Sequence, residues 1–182
     1  MVIFDSTVTL KNGTTLTLRS PLPPDAAQLN AYLRQTSGET HFMVRDPEEC
    51  NQTLEAAQSR LQAMLDDERS FMLAAFLDGE LVGNCAITAL SPRRKLRHRA
   101  EFGISIKKKA WGLGLGTILL TRALAQAKEN GFTQVELGVF EDNIRARSLY
   151  AKLGFAEMGR IPKAFLLKDG TYRDEIQMVC FL

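Results

Sequence analysis

Trp111-Gly112-Leu113-Gly114-Leu115-Gly116-Thr117 is the stretch on which the reading of this chain turns. An alternating, strand-like segment, Arg99 to Ile106, leads towards it, and a helix-like segment, Thr117 to Asn130, leaves it. Three glycines at alternate positions let the backbone turn tightly with no Cβ in the way. Their N–H groups can converge on an anion, and the helix that follows adds its positive dipole end. A strand, such a loop and a helix together make a cradle for a pyrophosphate.

Two nucleotide cradles fail the test of spacing. A Walker loop needs Lys-Ser or Lys-Thr after its last glycine. Here Gly116 is followed by Thr117 and Ile118. A dinucleotide turn needs G-x-G-x-x-G with an acidic residue about twenty positions on. The pattern here is G-x-G-x-G, so Glu136 at a suitable distance carries little weight.

Downstream lies Asn143-Ile144-Arg145-Ala146-Arg147-Ser148-Leu149-Tyr150-Ala151-Lys152-Leu153-Gly154-Phe155. Trp111-x-x-Gly114-x-Gly116 resembles the Gln/Arg-x-x-Gly-x-Gly/Ala loop of the GNAT superfamily of N-acetyltransferases, with Trp111 in place of the usual Gln or Arg. The downstream stretch resembles the superfamily's second signature, Asn-x-x-Ala-x-x-Leu-Tyr-x-x-x-Gly-Phe, at every named position. The likeness runs from about Phe71 to the C-terminus, and the N-terminal third matches in general layout. The ending Gly170 to Met178 and the segment Ala100-Glu101-Phe102 are similar to the branch that holds spermidine and ribosomal-protein N-terminal acetyltransferases.

Outward from the glycine loop, the chain reads as one domain over residues 1–182. Val8 to Leu18 alternates around Asn12-Gly13, a hairpin ending in a first strand. Asp25 to Gln35 has helical spacing and Ser37-Gly38 is read as its end; Glu48 to Asp66 is a second helix. Phe71 to Leu77 and Leu81 to Leu90 are strands joined by Asp78-Gly79, a hairpin pair. Gln134 to Phe140 is a strand, Asn143 caps a helix ending at Gly154, and Ala164 to Leu167 with Tyr172 to Phe181 form a last hairpin. The order β-α-α-β-β-β-α-β-α-β-β describes an α/β (α+β) protein. Its expected form is a mixed, mostly antiparallel sheet flanked by helices, the layout the resemblance implies.

Composition sets bounds. At 182 residues, 45% hydrophobic and 24% charged, the chain has a globular profile and can bury a core. Its net charge of +2 argues against nucleic-acid or membrane partners. No apolar run is long enough for a membrane span, and Met1 to Leu10, with Asp5 and no basic start, does not read as a signal peptide. Cys50, Cys85 and Cys180 lack metal spacing, so no metal is expected; Cys85 and Cys180 read as buried thiols of a cytoplasmic protein. Oligomeric state is not fixed by composition, a homodimer being one option.

The resemblance implies acetyl-CoA as cosubstrate and a primary amine as acceptor. A small, polyamine-like amine is favoured, a protein amine or a non-catalytic acyl-CoA sensor being the alternatives. It implies that Tyr150 protonates the departing CoA thiolate and that Glu101 takes the amine's proton. The backbone of Ile104, Ser105 and Ile106 is expected to receive the pantetheine arm in a slot made by splay from Gln134–Phe140. The pyrophosphate falls to Trp111, Gly112, Leu113, Gly114, Leu115, Gly116 and Thr117, with Asn143 and Ser148 also on the cofactor. The acceptor site is implied between the two early helices, around Thr36 to Pro47, where Glu39, Asp46, Glu48 and Glu49 could attract a cation or form the acidic first turn of a helix.

From the residues alone, alternation puts Glu101, Gly103 and Ser105 on one strand face, with Glu101 expected in an apolar cleft. His98 is a rival base. Lys107, Lys108 and Lys109 form a solvated turn or reach a phosphate. Arg93 to Arg99 is a basic connector without interleaved aromatics.

Overall fold

The computed structural model describes residues 1–182. A short hairpin, β1 (Ser6–Thr9) and β2 (Thr15–Arg19), opens the chain. Gly13 takes φ +83° at its tip, a conformation that suits glycine. Helices α1 (Ala26–Glu39) and α2 (Leu54–Asp66) follow, then β3 (Phe71–Leu77), β4 (Glu80–Ala89) and β5 (Arg99–Ile106). The remaining elements are α3 (Leu115–Glu129), β6 (Gln134–Phe140), α4 (Ile144–Lys152), β7 (Ala156–Leu166) and β8 (Tyr172–Phe181). Eight strands form one sheet in the order β1-β2-β3-β4-β5-β6-β8-β7.

Every neighbouring pair is antiparallel except β5 and β6. That parallel pair is also the shortest for its strands. It holds only from Arg99–Gln134 to Glu101–Glu136, whereas β4 follows β5 all the way to Ile106. Beyond Glu101 the two strands part, and the sheet has a slot in its middle.

Each face of the sheet carries its own apolar layer. Leu115, Leu119, Leu120, Ala123 and Ala127 of α3 pack with Cys85, Phe102, Val135, Leu137 and Val139. Leu29 and Tyr32 of α1 and Leu61 of α2 pack on Met72, Ala74 and Phe76 of β3. The expected thiols Cys85 and Cys180 are buried. No helix is long and apolar enough to cross a membrane.

Element boundaries differ from expectation where side chains take over from propensity. Ser37-Gly38 does not stop α1: Gly38 stays right-handed, and Pro47 Cγ lies 3.5 Å from where its Cβ would stand. The second helix starts at Leu54, not Glu48, because Thr53 caps it by accepting from Ala56 N–H at 3.2 Å. The last hairpin is much longer than Ala164–Leu167 suggests, since β7 runs from Ala156. Nearly all of β7 is exposed, so no apolar alternation marks it.

Candidate active site

The glycine loop forms as a cradle. Gly112 and Gly114 have φ +80° and +88°, and Gly114 is the N-cap of α3, which therefore starts at Leu115 rather than Thr117. No N–H from Gly112 to Thr117 has a backbone acceptor in the protein; Ile118 N–H is the first to bond, to Gly114 O at 3.2 Å. A run of unspent donors at a helix N-terminus suits an anion with several oxygens. Gly116 is tightly packed, since a Cβ there would lie 3.0 Å from Leu149 Cδ2 and that side chain would have to shift.

A cleft of about 610 Å³ joins this cradle to the slot. Of the residues expected to hold a cofactor, Ile104, Ser105, Ile106, Trp111, Gly112, Gly114, Leu115, Gly116, Thr117 and Asn143 line it together. Leu113 and Ser148 do not. Leu113 packs on the core and accepts from Lys11 N–H at 3.3 Å, and Ser148 is exposed on α4. Leu90 N–H donates to Arg99 O and Lys107 N–H to Val82 O, so the odd-numbered residues of β5 face β4. The backbone groups of Ile104 and Ile106 therefore face the slot. Trp111 Nε1 donates to Ile106 O at 2.8 Å, which spends that carbonyl and leaves those of Ile104 free. Asn143 caps α4, accepting from Ala146 N–H at 3.2 Å.

The cations at the cradle are not those nearest in sequence. Lys107 is buried and, with Lys109, bonds Glu80 at 2.8 and 2.6 Å, holding that carboxyl down to about 2. The cleft instead receives Lys11, from the first hairpin, and Arg145, stacked 4.6 Å over Trp111. Neither has an acidic partner in an ion pair. Lys11 carries no sequence signal because it lies a hundred positions away. Arg145 sits at an unassigned position of the second motif.

Tyr150 is buried on the α3–α4 side of the sheet, its ring edge-on to Phe102 at 6.3 Å and tilted to Phe155 at 5.7 Å. Its hydroxyl has no partner in the protein and is not among the sealed polar atoms. Burial pushes the phenol up from the usual tyrosine range. Glu101 lies on the opposite face of β5, at the last paired rung before the slot. The apolar cleft expected around it is absent: Glu101 is exposed. His98 precedes β5, at the end away from the cleft.

On Glu101's side of the sheet a second cavity of about 530 Å³ lies between the loop after α1 and β7. Thr40 and Met43 line both it and the cofactor cleft, so the two cavities adjoin. His41 is unremarked in sequence and stands here, its Nε2 2.9 Å from Asp142 Oδ2, which also accepts from Arg173 Nε at 3.0 Å. Burial works to raise the Asp142 carboxyl, but these hydrogen bonds outweigh it and hold it low.

The family model described as "Acetyltransferase (GNAT) family" matches residues 32–155. Among curated proteins, the L-amino acid N-acetyltransferase of Escherichia coli (strain K12) is 34% identical over 109 residues, 58% of this chain and 65% of its own length. Spermidine N(1)-acetyltransferase of the same strain is 34% identical over 119 residues, 63% of this chain and 59% of its own length. The chain thus spans less than two thirds of these relatives. A crystal structure of an acetyltransferase of the GNAT family from Streptococcus pneumoniae superposes with TM-score 0.88 at 32% identity, covering 92% of this chain and 99% of the other. A phosphinothricin acetyltransferase from Sinorhizobium meliloti, in complex with AcCoA, shares the fold with TM-score 0.79 at 20% identity, over 92% and 88% of the two chains.

Proposed function

For a chain that belongs to the acetyltransferase (GNAT) family, we propose transfer of an acetyl group from acetyl-CoA to a primary amine, with a small molecule as acceptor. The observation that carries this reading is the run of unspent N–H groups from Gly112 to Thr117, opening onto the gap between β5 and β6. The cradle suits a pyrophosphate, Lys11 and Arg145 add positive charge beside it, and the free edge of β5 at Ile104 suits an amide-bearing arm. Acetyl-CoA supplies the thioester. The chain's own part is to place it in the slot, admit the amine from the second cavity and manage protons. Residues 1–182 act in this as one domain.

The proton balance assigns two roles. An alkyl ammonium loses one proton before attack and a second as the amide forms. Glu101, on the acceptor side, accepts the first and hands it to solvent. The departing thiolate takes a proton from the Tyr150 hydroxyl, and the second proton from nitrogen makes good that loss. Positioning removes much of the remaining barrier, roughly 7–11 kcal/mol in well-oriented systems.

Acetyl-CoA is expected to raise the melting temperature by mass action, with ATP and NAD at equal concentration doing far less. Thiol release should then follow on adding a primary amine. Equal stabilisation by ATP would sink the reading. Glu101→Gln is expected to lower kcat/KM at neutral pH by about 10²-fold at most, the lower end for a general base, because Glu101 shares its proton traffic with solvent. By the lysine reference of about 10.4, fewer than about one amine in a thousand is free at pH 7, so the loss should shrink as pH rises. His98→Ala should change little. A pH-independent defect in Glu101→Gln would remove its role as base.

A further inference from the structure

Glu175 of β8 lies opposite Phe140 of β6, two rungs beyond the pair Gln177–Gly138. Its carboxylate leans back over Gly138 and fills the space where a side chain would stand. A Cβ built on Gly138 would lie 1.9 Å from Glu175 Oε1 and 2.7 Å from Cδ. Gly138 is not among the residues with positive φ, so its backbone tolerates any side chain. A side chain at Gly138 would displace that carboxylate.

The place is the mouth of the slot. Val135, Leu137 and Val139 point into the core, so Glu136, Gly138 and Phe140 share the other face, and the rung Glu101–Glu136 puts Glu101 and Gly103 there too. Gly103 has nothing within 4 Å of its own Cβ position. Of the two glycines on adjacent strands where β5 and β6 begin to part, Gly103 leaves the floor open and Gly138 is covered only by the Glu175 carboxylate. Phe140, stacked on Phe165 at 3.8 Å, walls the far side, and His41 and Phe42 stand over Phe140.

Glu175 is half-buried, yet its side chain makes no ion pair and no hydrogen bond. The cations nearby are spent. Arg160 bonds Asp174 and Glu141, and Arg173 bonds Asp142, which His41 also contacts. A carboxylate pairs most strongly with a cation that donates hydrogen bonds to it. Nothing in the protein does so.

We propose that Glu175, lying over Gly138, binds the acceptor's ammonium group beside the open floor at Gly103 and so selects cationic primary amines as acceptors. The proposal rests on the acetyltransferase reading. Glu175 binds and orients the nitrogen, and Glu101 remains the group that takes its proton, so the two residues have different kinetic signatures.

The probes are n-butylamine, 1,4-diaminobutane and L-lysine with acetyl-CoA, following thiol release. For whichever amine the wild type turns over best, Glu175→Gln is expected to raise the amine's KM by about 10–100-fold, the range for one charge-assisted hydrogen bond. At saturating amine kcat should change little, and stabilisation by acetyl-CoA should be unchanged. Gly138→Ala puts a methyl where the carboxylate rests and should raise the same KM while lowering the melting temperature. Glu175→Ala added to Gly138→Ala should recover the melting temperature but not the KM, a non-additive cycle that is read without any activity. An unchanged amine KM in Glu175→Gln, or additive stabilities in the cycle, overturns the proposal and leaves the acetyltransferase reading standing. A wild type that neither gains stability from acetyl-CoA nor acetylates any probe overturns both.

Discussion

Tyr150→Phe is expected to lower kcat by about 10²–10⁴-fold, the usual worth of a positioned general acid, with KM for acetyl-CoA little changed. The substitution keeps the ring, and with it the contacts to Phe102 and Phe155. It removes a hydroxyl that no group in the protein uses, so it leaves no orphaned partner behind. Stability should hold, because the ring contacts remain and the hydroxyl that is lost has no partner in the protein. A large loss of rate with unchanged stability is a result that a packing role cannot produce. Burial raises the phenol above its usual range, so Tyr150 stays protonated as pH rises through neutrality and beyond the ordinary tyrosine value of about 10. It is a proton donor over the whole working range, and the wild-type rate should show no alkaline decline from this residue below that value. The checks are steady-state kinetics at saturating acetyl-CoA and a melting curve. Wild-type turnover in Tyr150→Phe would return the residue to the core and leave water to protonate the thiolate.

Gly114→Glu is expected to abolish stabilisation by acetyl-CoA, a loss on the order of 10²-fold or more in affinity, since several charge-assisted hydrogen bonds fail together. Two effects combine. At φ +88° a side chain strains the N-cap of α3, which costs roughly 1–2 kcal/mol. The new carboxylate also stands where the N–H groups converge. Lys11 is next to it, with Cγ and Cε 3.5 Å from the position of the added Cβ, so the introduced charge takes the cation meant for phosphate. Gly114→Ala separates the two. It carries the same strain without the charge, and should lose the strain energy while keeping part of the acetyl-CoA effect. Calorimetric titration of both variants with acetyl-CoA, beside their melting curves, makes the comparison. Wild-type affinity in Gly114→Glu would show that the loop is a structural turn and that the cofactor lies elsewhere.

Much of this site was legible in sequence because it is built from local signals. The glycines between Trp111 and Thr117 state a backbone geometry by themselves, since few other residues take positive φ without strain. Asn143 names its own role as a cap, and the spacing from Asn143 to Tyr150 is held by one helix. Asp78-Gly79 marks its hairpin, where φ is +48° and +82°. In each case the physical cause acts over a few residues.

What tertiary structure alone decided is the charge around that local frame. Lys107 and Lys109 stand beside the glycine loop in sequence, yet Glu80 claims both, and the cradle draws its cations from Lys11 and Arg145. Glu101 lies on the strand where it was expected but meets solvent. Glu175 appears in sequence as one acidic residue among several near the C-terminus. Only the register of β8 on β6 sets it over Gly138, and only the other ion pairs leave it unspent. Backbone conformation is dictated by neighbours along the chain, so sequence could determine the cradle, the caps and the slot-forming strands. Which charges face one another depends on pairings between segments distant in the chain, and those exist only once the sheet has closed its register.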